Sequence, residues 1–317
     1  MQLRPVGRSG LLVSRLGLGT MTWGRDTDEH EARDQLVAFV EQGGTLVDTA
    51  DVYADGLSEQ IVGRLVEEVG RESVVVATKA VSRPGSERRF DASRGHLLQA
   101  LDASLKRLGL DHVDLWQLHA WDARTPLEET LSAVDAAVAS GRARYAGISN
   151  YSGWQTAKAA ALQSAKPGAA PLVSTQVEYS LLQRGIEREV VPAAADAGLG
   201  LLPWSPLGRG VLTGKYRYGT PADSRGASSH FSSFVSPYLD SRSRAVVDAV
   251  CTAAEGLGVA PLEVAIAWVR DRPGVVAPIL GARTAAQLRG ARTVEELDLP
   301  EEIVSARDEV SEPERGS

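Results

Sequence analysis

The chain has 317 residues, 34 Lys and Arg against 41 Asp and Glu, a formal net charge of −7, and a single cysteine, Cys251. Net acidity without a basic stripe argues against a nucleic-acid partner, and one cysteine excludes an intrachain disulfide. No apolar run reaches the roughly 18 residues of a transmembrane helix, and residues 1–10 lack the apolar stretch of a secretory signal. These features predict a cytoplasmic protein without membrane insertion.

Short apolar or β-branched runs alternate with amphipathic stretches of helical length. The predicted strands are 16–19, 45–47, 74–78, 113–118, 144–148, 172–176, 199–204 and 274–278. The predicted helices are 28–42, 58–69, 93–107, 127–140, 153–163 and 186–197. Such a βα alternation predicts an α/β fold of the (β/α)8 TIM barrel type, built as one domain.

Three segments lie outside this alternation. Residues 3–6 and 11–13, around a Gly-Arg-Ser-Gly turn, predict an N-terminal β-hairpin that plugs one end of the barrel. Residues 216–238 are rich in Gly, Ser and Pro, so we expect a lid that is mobile until a ligand binds. Residues 311–317 are a polar tail that we expect to be disordered, which places the single domain at 1–310.

Polar side chains stand at the ends of three consecutive predicted strands: Asp48, Lys79 and His119, with Tyr53 in the loop after the first of them. Taken singly, Lys79 could mark a strand end meeting solvent, His119 a structural histidine and Tyr53 an ordinary loop aromatic. Barrel active sites are built on the carboxyl ends of the strands. Together the four groups therefore predict a proton-handling site, in which the carboxylate holds the ammonium and the ammonium lowers the pKa of the phenol.

Several motifs in order along the chain resemble those of the aldo-keto reductases. They are DTADVY at 48–53, Lys79, QLH at 117–119, GISN at 147–150, QVEYS at 176–180 and WSPLGRGVLTGK at 204–215. The likeness is greatest to the bacterial branch that also resembles potassium-channel β subunits and deoxysugar ketoreductases. It implies that Tyr53, Asp48, Lys79 and His119 are the catalytic residues.

The resemblance also implies a nicotinamide cofactor bound across the barrel mouth without a Rossmann fold. In agreement, residues 17–22 lack the third glycine of a dinucleotide fingerprint. The family pattern implies that Ser149, Asn150 and Gln176 hold the carboxamide and that Trp204 stacks on the nicotinamide. Without its flanking motif, Trp204 would be taken for a core aromatic. The implied cofactor contacts are Thr20, Met21, Ser149, Asn150, Gln176, Trp204, Ser205, Pro206, Leu207, Gly208, Gly210, Lys215, Gly281, Arg283 and Gln287.

Cofactor choice depends on Arg283, whose guanidinium could pair with a 2′-phosphate or could be an exposed loop cation. The first interpretation favours NADPH (NADP⁺), with NADH possible. Gly290 and Ala291 depart from the family pattern, which often has an acid and an Asn at these two positions of the adenine region.

The predicted reaction is reduction of an aldehyde or ketone carbonyl by NAD(P)H, with Tyr53 as general acid and no metal. Trp23 and Trp121 follow strand ends and are the substrate-facing candidates. The alternative is a regulatory or redox-sensing subunit that binds the cofactor and a protein partner, as in the channel-associated relatives. Five Lys against 29 Arg, with abundant Ala and Gly, indicate a GC-rich bacterial genome. Neither the substrate nor the oligomeric state can be predicted.

Overall fold

A computed structural model describes residues 1–222, 224–228, 232–289 and 292–313. Its strands are β1 (Leu3–Pro5), β2 (Leu12–Ser14), β3 (Gly17–Gly19), β4 (Leu46–Asp48), β5 (Val75–Ala80), β6 (Val113–Leu118), β7 (Ala143–Ser149), β8 (Leu172–Glu178), β9 (Gly200–Trp204) and β10 (Ile279–Gly281). Strands β3 to β10 are parallel and close into a barrel in the order β10-β3-β4-β5-β6-β7-β8-β9. This confirms the predicted (β/α)8 TIM barrel.

Helices surround the barrel. They are α1 (Glu29–Glu41), α2 (Leu57–Val69), α3 (Arg94–Leu108), α4 (Leu127–Ala139), α5 (Gly153–Ala165), α6 (Val190–Ala197), α7 (Ser232–Val235), α8 (Ser241–Leu257), α9 (Pro261–Arg270), α10 (Ala285–Arg289), α11 (Arg292–Glu296) and α12 (Glu301–Val310). Local chemistry fixes several ends: the Asp28 side chain accepts a hydrogen bond from Glu31 N at 2.9 Å, and Gly109 ends α3 in the left-handed conformation. Helix α6 begins at Val190, four residues later than predicted, because residues 185–187 form a 3-10 turn instead.

The last barrel strand corrects the sequence prediction. Residues 274–278 were expected to form it, but β10 is Ile279–Gly281. The earlier segment still runs beside β9, where Leu201 N donates to Gly274 O at 2.9 Å and Val276 N donates to Leu201 O at 2.9 Å. Pro278 has no backbone N–H to continue this pairing, and the ladder to β3 starts after it.

The N-terminal hairpin is formed as predicted by β1 and β2, which pair antiparallel. Its residues Val6, Leu11 and Val13 are buried against side chains that point into the barrel, namely Leu46, Ala77, Leu115, Val173, Leu202, Val276, Ala277 and Ile279. Gly7, at φ 57°, comes so close to the start of β9 that a Cβ there would lie 2.8 Å from Gly200 N. The hairpin therefore fills the end of the barrel opposite the carboxyl ends of its strands.

The predicted lid and tail are only partly described. Within 216–238, Tyr216, Val235 and Tyr238 are buried, while residues 223 and 229–231 lie outside the described residues. At the start of the predicted tail Ser311 is buried, and its hydroxyl accepts from Arg184 Nη1 at 3.0 Å. Residues 314–317 lie outside the described residues. Within the described ranges no single helix is long and apolar enough to cross a membrane; α8 and α9 pass that test only as a pair bent by 101°.

Candidate active site

Asp48 ends β4 and Lys79 lies in the next strand, β5, so their side chains meet inside the barrel. The Lys79 ammonium donates to Asp48 Oδ2 at 2.6 Å and to Thr49 O at 2.7 Å. Lys79 is 0% and Asp48 3% exposed, which excludes the interpretation of Lys79 as a strand end meeting solvent. Burial is the largest single effect and lowers the pKa of Lys79, but the charges and hydrogen bonds of Asp48 and Tyr53 together raise the pKa above its ordinary value. The ammonium is therefore kept charged.

The other oxygen of Asp48 is held by two side-chain amides. Gln176 Nε2 donates to Oδ1 at 2.8 Å from β8, and Gln117 Nε2 donates to the same oxygen at 3.2 Å from β6. Gln117 had been noticed in the sequence only as part of a motif, without a role. A buried carboxylate needs hydrogen-bond donors, and side chains on three other strands, β5, β6 and β8, supply them to Asp48.

Tyr53 reaches Lys79 because the loop after β4 turns sharply. Within the turn Tyr53–Gly56, Ala54 and Asp55 adopt left-handed backbone conformations, at φ 47° and 54°. The Lys79 ammonium lies 3.5 Å from the Tyr53 hydroxyl and 5.1 Å from the centre of its ring. Burial raises the pKa of Tyr53 and Lys79 lowers it, but burial is the larger effect. The expected net lowering of the phenol's pKa is therefore wrong for this structure, and the hydroxyl keeps its proton.

His119 follows β6 and stands beside Tyr53. The two ring centres are 6.1 Å apart with the rings at 78°. Burial, followed by the charge of Lys79, lowers the pKa of His119 to about 3, so the imidazole is neutral near pH 7. Its Nδ1 is buried and has no hydrogen-bond partner among the described residues. A neutral imidazole can still donate one hydrogen bond to an oxygen in the cavity.

These groups open into a cavity of about 500 Å³ at the carboxyl ends of the strands. Most of the residues predicted from the sequence line it: Thr20, Met21, Asp48, Tyr53, His119, Ser149, Asn150, Gln176, Trp204, Ser205, Pro206, Leu207, Gly210, Lys215, Gly281, Arg283 and Gln287. The wall also includes residues that had not been singled out, among them Thr22, Arg209, Thr213, Phe234, Leu262 and Ile266.

Four predicted site residues are not part of this wall. Lys79 is buried behind Asp48 and Tyr53. Gly208 packs against Leu182, where a Cβ would lie 2.7 Å from Leu182 Cδ1. Trp23, expected to face the substrate, is 0% exposed and its Nε1 donates to Gln35 Oε1 at 3.1 Å.

Trp121, the other substrate-facing candidate, packs beside the cavity instead of lining it. Its ring lies 5.2 Å from that of Tyr151 and 5.3 Å from that of Trp154, the latter 58% exposed. The three aromatics form a cluster that extends from the buried Tyr151 to the exposed Trp154.

The loop after β7 connects both sides of the cavity through Asn150, which has φ 58°. Its side-chain amide donates to His119 O at 2.9 Å and to Ser149 Oγ at 3.0 Å, while its carbonyl oxygen accepts from Trp204 Nε1 at 3.0 Å. Asn150 therefore fixes the Trp204 ring relative to the loop of His119.

On the side of the predicted lid, Arg209 is the central contact. It makes two hydrogen bonds to the Glu178 carboxylate, at 2.8 and 2.7 Å, and donates to Phe234 O at 2.5 Å. The guanidinium carbon also lies 3.9 Å from the centre of the Phe234 ring, and Tyr238 donates to Glu178 at 3.0 Å. The motif at 204–215 contained Arg209, but nothing local in the sequence connects it to residues 234 and 238.

At the far end of the cavity, Arg283 is half-buried on the loop after β10. Its backbone N–H donates to Gln287 Oε1 at 3.0 Å, and its carbonyl oxygen accepts from Thr27 Oγ1 at 3.4 Å. Gly290 and Ala291, where the sequence departs from the expected pattern, lie outside the described residues.

The sequence is similar to those of several known proteins. The profile of the "Aldo/keto reductase family" matches residues 15–312. "Uncharacterized oxidoreductase YrpG" of Bacillus subtilis (strain 168) is 39% identical over 318 residues, covering 96% of this chain and 94% of its own length. "Probable voltage-gated potassium channel subunit beta" of Oryza sativa subsp. japonica is 38% identical, with 91% and 89% covered. "Aldo-keto reductase YhdN" of B. subtilis is 33% identical, with 91% and 87% covered. The chain belongs to the aldo/keto reductase family, and its similarity to proteins named as oxidoreductases supports a role of that class.

Proposed function

We propose that this protein is a cytoplasmic, NADPH-dependent reductase that converts an aldehyde or ketone into an alcohol, with Tyr53 as the general acid. One observation carries the proposal: the Lys79 ammonium lies 2.6 Å from the Asp48 carboxylate and 3.5 Å from the Tyr53 hydroxyl, at the cavity wall beside His119. This arrangement has the parts that protonate an oxygen as negative charge develops on it.

Each of the four side chains has a chemical task in this mechanism. A reduced nicotinamide, which Ser149, Asn150, Gln176 and Trp204 would hold, would supply the hydride for the carbonyl carbon. Tyr53 gives its proton to the carbonyl oxygen, and the tyrosinate left behind is stabilised by the charge of Lys79 until solvent returns a proton. Asp48 keeps Lys79 charged, and neutral His119 donates a hydrogen bond that orients the carbonyl.

The cavity walls fit a nicotinamide cofactor. Because the Asp48 carboxylate can only accept hydrogen bonds, the Gln176 amide must point its Nε2 at Asp48, which leaves its Oε1 as an acceptor. An acceptor beside Ser149 and Asn150 suits the N–H groups of a carboxamide, and the Trp204 ring suits a stacked heterocycle. Lys215 and Arg283 add cations for phosphate groups, which favours NADPH over NADH.

The alternative, a regulatory subunit without turnover, is not favoured. Relatives named as oxidoreductases and relatives named as channel subunits are similar to this chain to about the same degree, so the names do not decide between the two functions. Burial of the two charges of Lys79 and Asp48 lowers stability. A proton donor gains from an ammonium held beside a phenol, whereas a protein that only bound a cofactor would not. We therefore favour an enzyme over a regulatory subunit.

The test is a panel of aldehydes, diketones and keto-sugars, each assayed with NADPH and with NADH by the loss of reduced-nicotinamide absorbance. We expect cofactor oxidation only when a carbonyl compound is present, and faster with NADPH. Equilibrium binding of both cofactors is measured on the same preparation. Tight NADPH binding without turnover of any carbonyl class would instead support the regulatory subunit.

A further inference from the structure

The buried side chain of Gln117 lowers the stability of the fold. It lies on β6 inside the barrel and is 0% exposed. Its Nε2 donates to Asp48 Oδ1 at 3.2 Å, but its Oε1 is buried without a hydrogen-bond partner among the described residues. A buried carbonyl that loses its hydrogen bonds to water lowers stability, and leucine would fill the same space without that cost. A functional role for the Nε2 group would explain why residue 117 is a glutamine and not a leucine.

We propose that Gln117 is a positioning residue: its amide holds the Asp48 carboxylate in the orientation that pairs it with Lys79, and so fixes the ammonium beside the Tyr53 hydroxyl. This inference rests on the proposed function, since it concerns the same proton donor. It assigns a role to a residue that contacts neither the cavity nor Tyr53 directly.

The contacts of Asp48 divide between its two oxygens. Oδ2 faces Lys79, while Oδ1 accepts from both Gln117 and Gln176. Two donors on Oδ1 prevent the carboxylate from rotating away from the ammonium. Of the two, Gln176 lines the cavity and is exposed to whatever binds there, whereas Gln117 does not line it. Gln117 is therefore the anchor that ligand binding leaves undisturbed.

The direction of the effect follows from the charges around Tyr53. Lys79 faces it from β5, Asp48 from β4, Asp51 from its own loop, and the neutral His119 ring from the end of β6. Removing the Gln117 amide takes a partial positive charge away from Asp48. The carboxylate then holds the Lys79 proton more strongly and opposes ionisation of Tyr53 more strongly, so Tyr53 becomes a weaker acid.

The test variant is Gln117→Leu, compared with Ser174→Ala, which removes a buried hydroxyl without a partner among the described residues. We expect kcat of Gln117→Leu to fall about tenfold and the basic limb of its pH profile to move up by about half a unit. KM and the cofactor Kd should stay within about twofold, and the Tm should change little, because removal of the orphaned carbonyl offsets the loss of one of the two donors to Asp48 Oδ1. Ser174→Ala should leave both the rate and the profile unchanged.

An unchanged pH profile in Gln117→Leu would overturn the proposal, whether kcat is normal or falls together with the Tm. Should that variant fail to fold, Gln117→Asn withdraws the amide from Asp48 in a polar side chain and carries the same expectation. Should the wild type reduce no carbonyl, the proposed function fails separately. In that case the ionisation of Tyr53 is followed directly, as the difference in tyrosinate absorbance between each protein and its Tyr53→Phe variant. If Tyr53 ionises at the same pH in the wild type and in Gln117→Leu, the inference is contradicted.

Discussion

On one side of the cavity, Asp48 and Lys79 are almost wholly buried, and every contact in their network except that of Lys79 with Tyr53 comes from a barrel strand or the residue directly after it. On the other side, Arg209 and Glu178 keep 15% and 12% of their side chains exposed, and their partners Phe234 and Tyr238 come from the predicted lid. The first network can open only if the barrel deforms. The second can open when one loop moves away.

This difference matches two different requirements. Proton transfer needs atoms held within hydrogen-bond distance throughout the reaction, and rigid strands supply that. A cofactor must enter and leave at every turnover, so the contacts over it must break and re-form. We therefore expect substitutions on the strand side to change rates of chemistry and those on the lid side to change binding.

The largest effect is expected from Tyr53→Phe, which removes only the hydroxyl. General acid catalysis contributes about 10² to 10⁴ in rate, so kcat should fall by that factor while the affinity for NADPH is kept. Tyr145→Phe is the control, because Tyr145 lies on β7 and packs against the hairpin at the other end of the barrel. Single-turnover kinetics and cofactor titration measure both quantities. An unchanged rate would remove Tyr53 as the acid.

Asp48→Asn tests the buried ion pair through stability. The variant leaves the Lys79 ammonium buried without its counter-charge, and breaking a buried pair in this way costs about 3 to 5 kcal/mol. Urea unfolding should report a free energy of unfolding lower by that amount. The double variant Asp48→Asn/Lys79→Met should recover most of the stability and remain inactive. Recovery of activity along with stability would contradict the catalytic role of Lys79.

Arg283→Ala tests cofactor choice. Loss of a hydrogen bond to a charged group costs about 1.5 to 3 kcal/mol, so NADPH binding should weaken by roughly tenfold or more. NADH has no 2′-phosphate and serves as the internal control, with unchanged affinity expected. Equal weakening of both cofactors would assign Arg283 to the shape of the loop after β10 instead.

Arg209→Ala tests the hold on the lid. The guanidinium loses the Glu178 carboxylate and the Phe234 ring together, and we expect release of NADPH to accelerate by about tenfold. Arg142→Ala, which removes a surface pair with Asp102, is the control. Stopped-flow displacement gives the rate. Protease cleavage within 216–238 should also become less sensitive to added NADPH, and cleavage that NADPH never affects would contradict a lid.

The effect expected to be smallest at neutral pH is the pH dependence of stability caused by His119. Its pKa in the folded chain, about 3, lies below the unfolded value near 6.5. As the pH falls, His119 therefore takes up a proton in the unfolded chain before it does so in the folded chain. The contribution of His119 to stability is complete above about pH 6.5 and declines as the pH falls towards 3. His119→Asn should make the stability profile less steep in this range by up to about 1.4 kcal/mol per pH unit.

The strand side of the site could be predicted because its signals are local. Lys79 interrupts a run of β-branched residues, and parallel strands bring their ends to one rim, so Asp48, Lys79 and His119 had to converge. Trp23 could not be placed in the same way. Three backbone N–H groups, those of Arg25, Asp26 and Thr27, donate to Thr22 O, and this turn accompanies a Trp23 ring directed at Gln35 of α1.

The contacts on the lid side could not be predicted from the sequence either. Arg209 and Phe234 are 25 positions apart, and neither residue type in its local setting indicates the other. The amide of Gln117 meets Asp48 across 69 positions, and only the closed barrel brings them together. The eighth strand was misplaced by a few residues because the apolar run at 274–278 pairs partly with β9 before Pro278 interrupts it.

The N-terminal hairpin has a practical consequence for measurement. It closes the end of the barrel opposite the cavity, and Leu3 and Leu12 on its outer face are about half exposed. A surface or fluorophore coupled through this hairpin leaves the carboxyl ends of the strands turned towards the solution. Exchange of ligands at the cavity can therefore be followed on immobilised protein without a tether at the mouth.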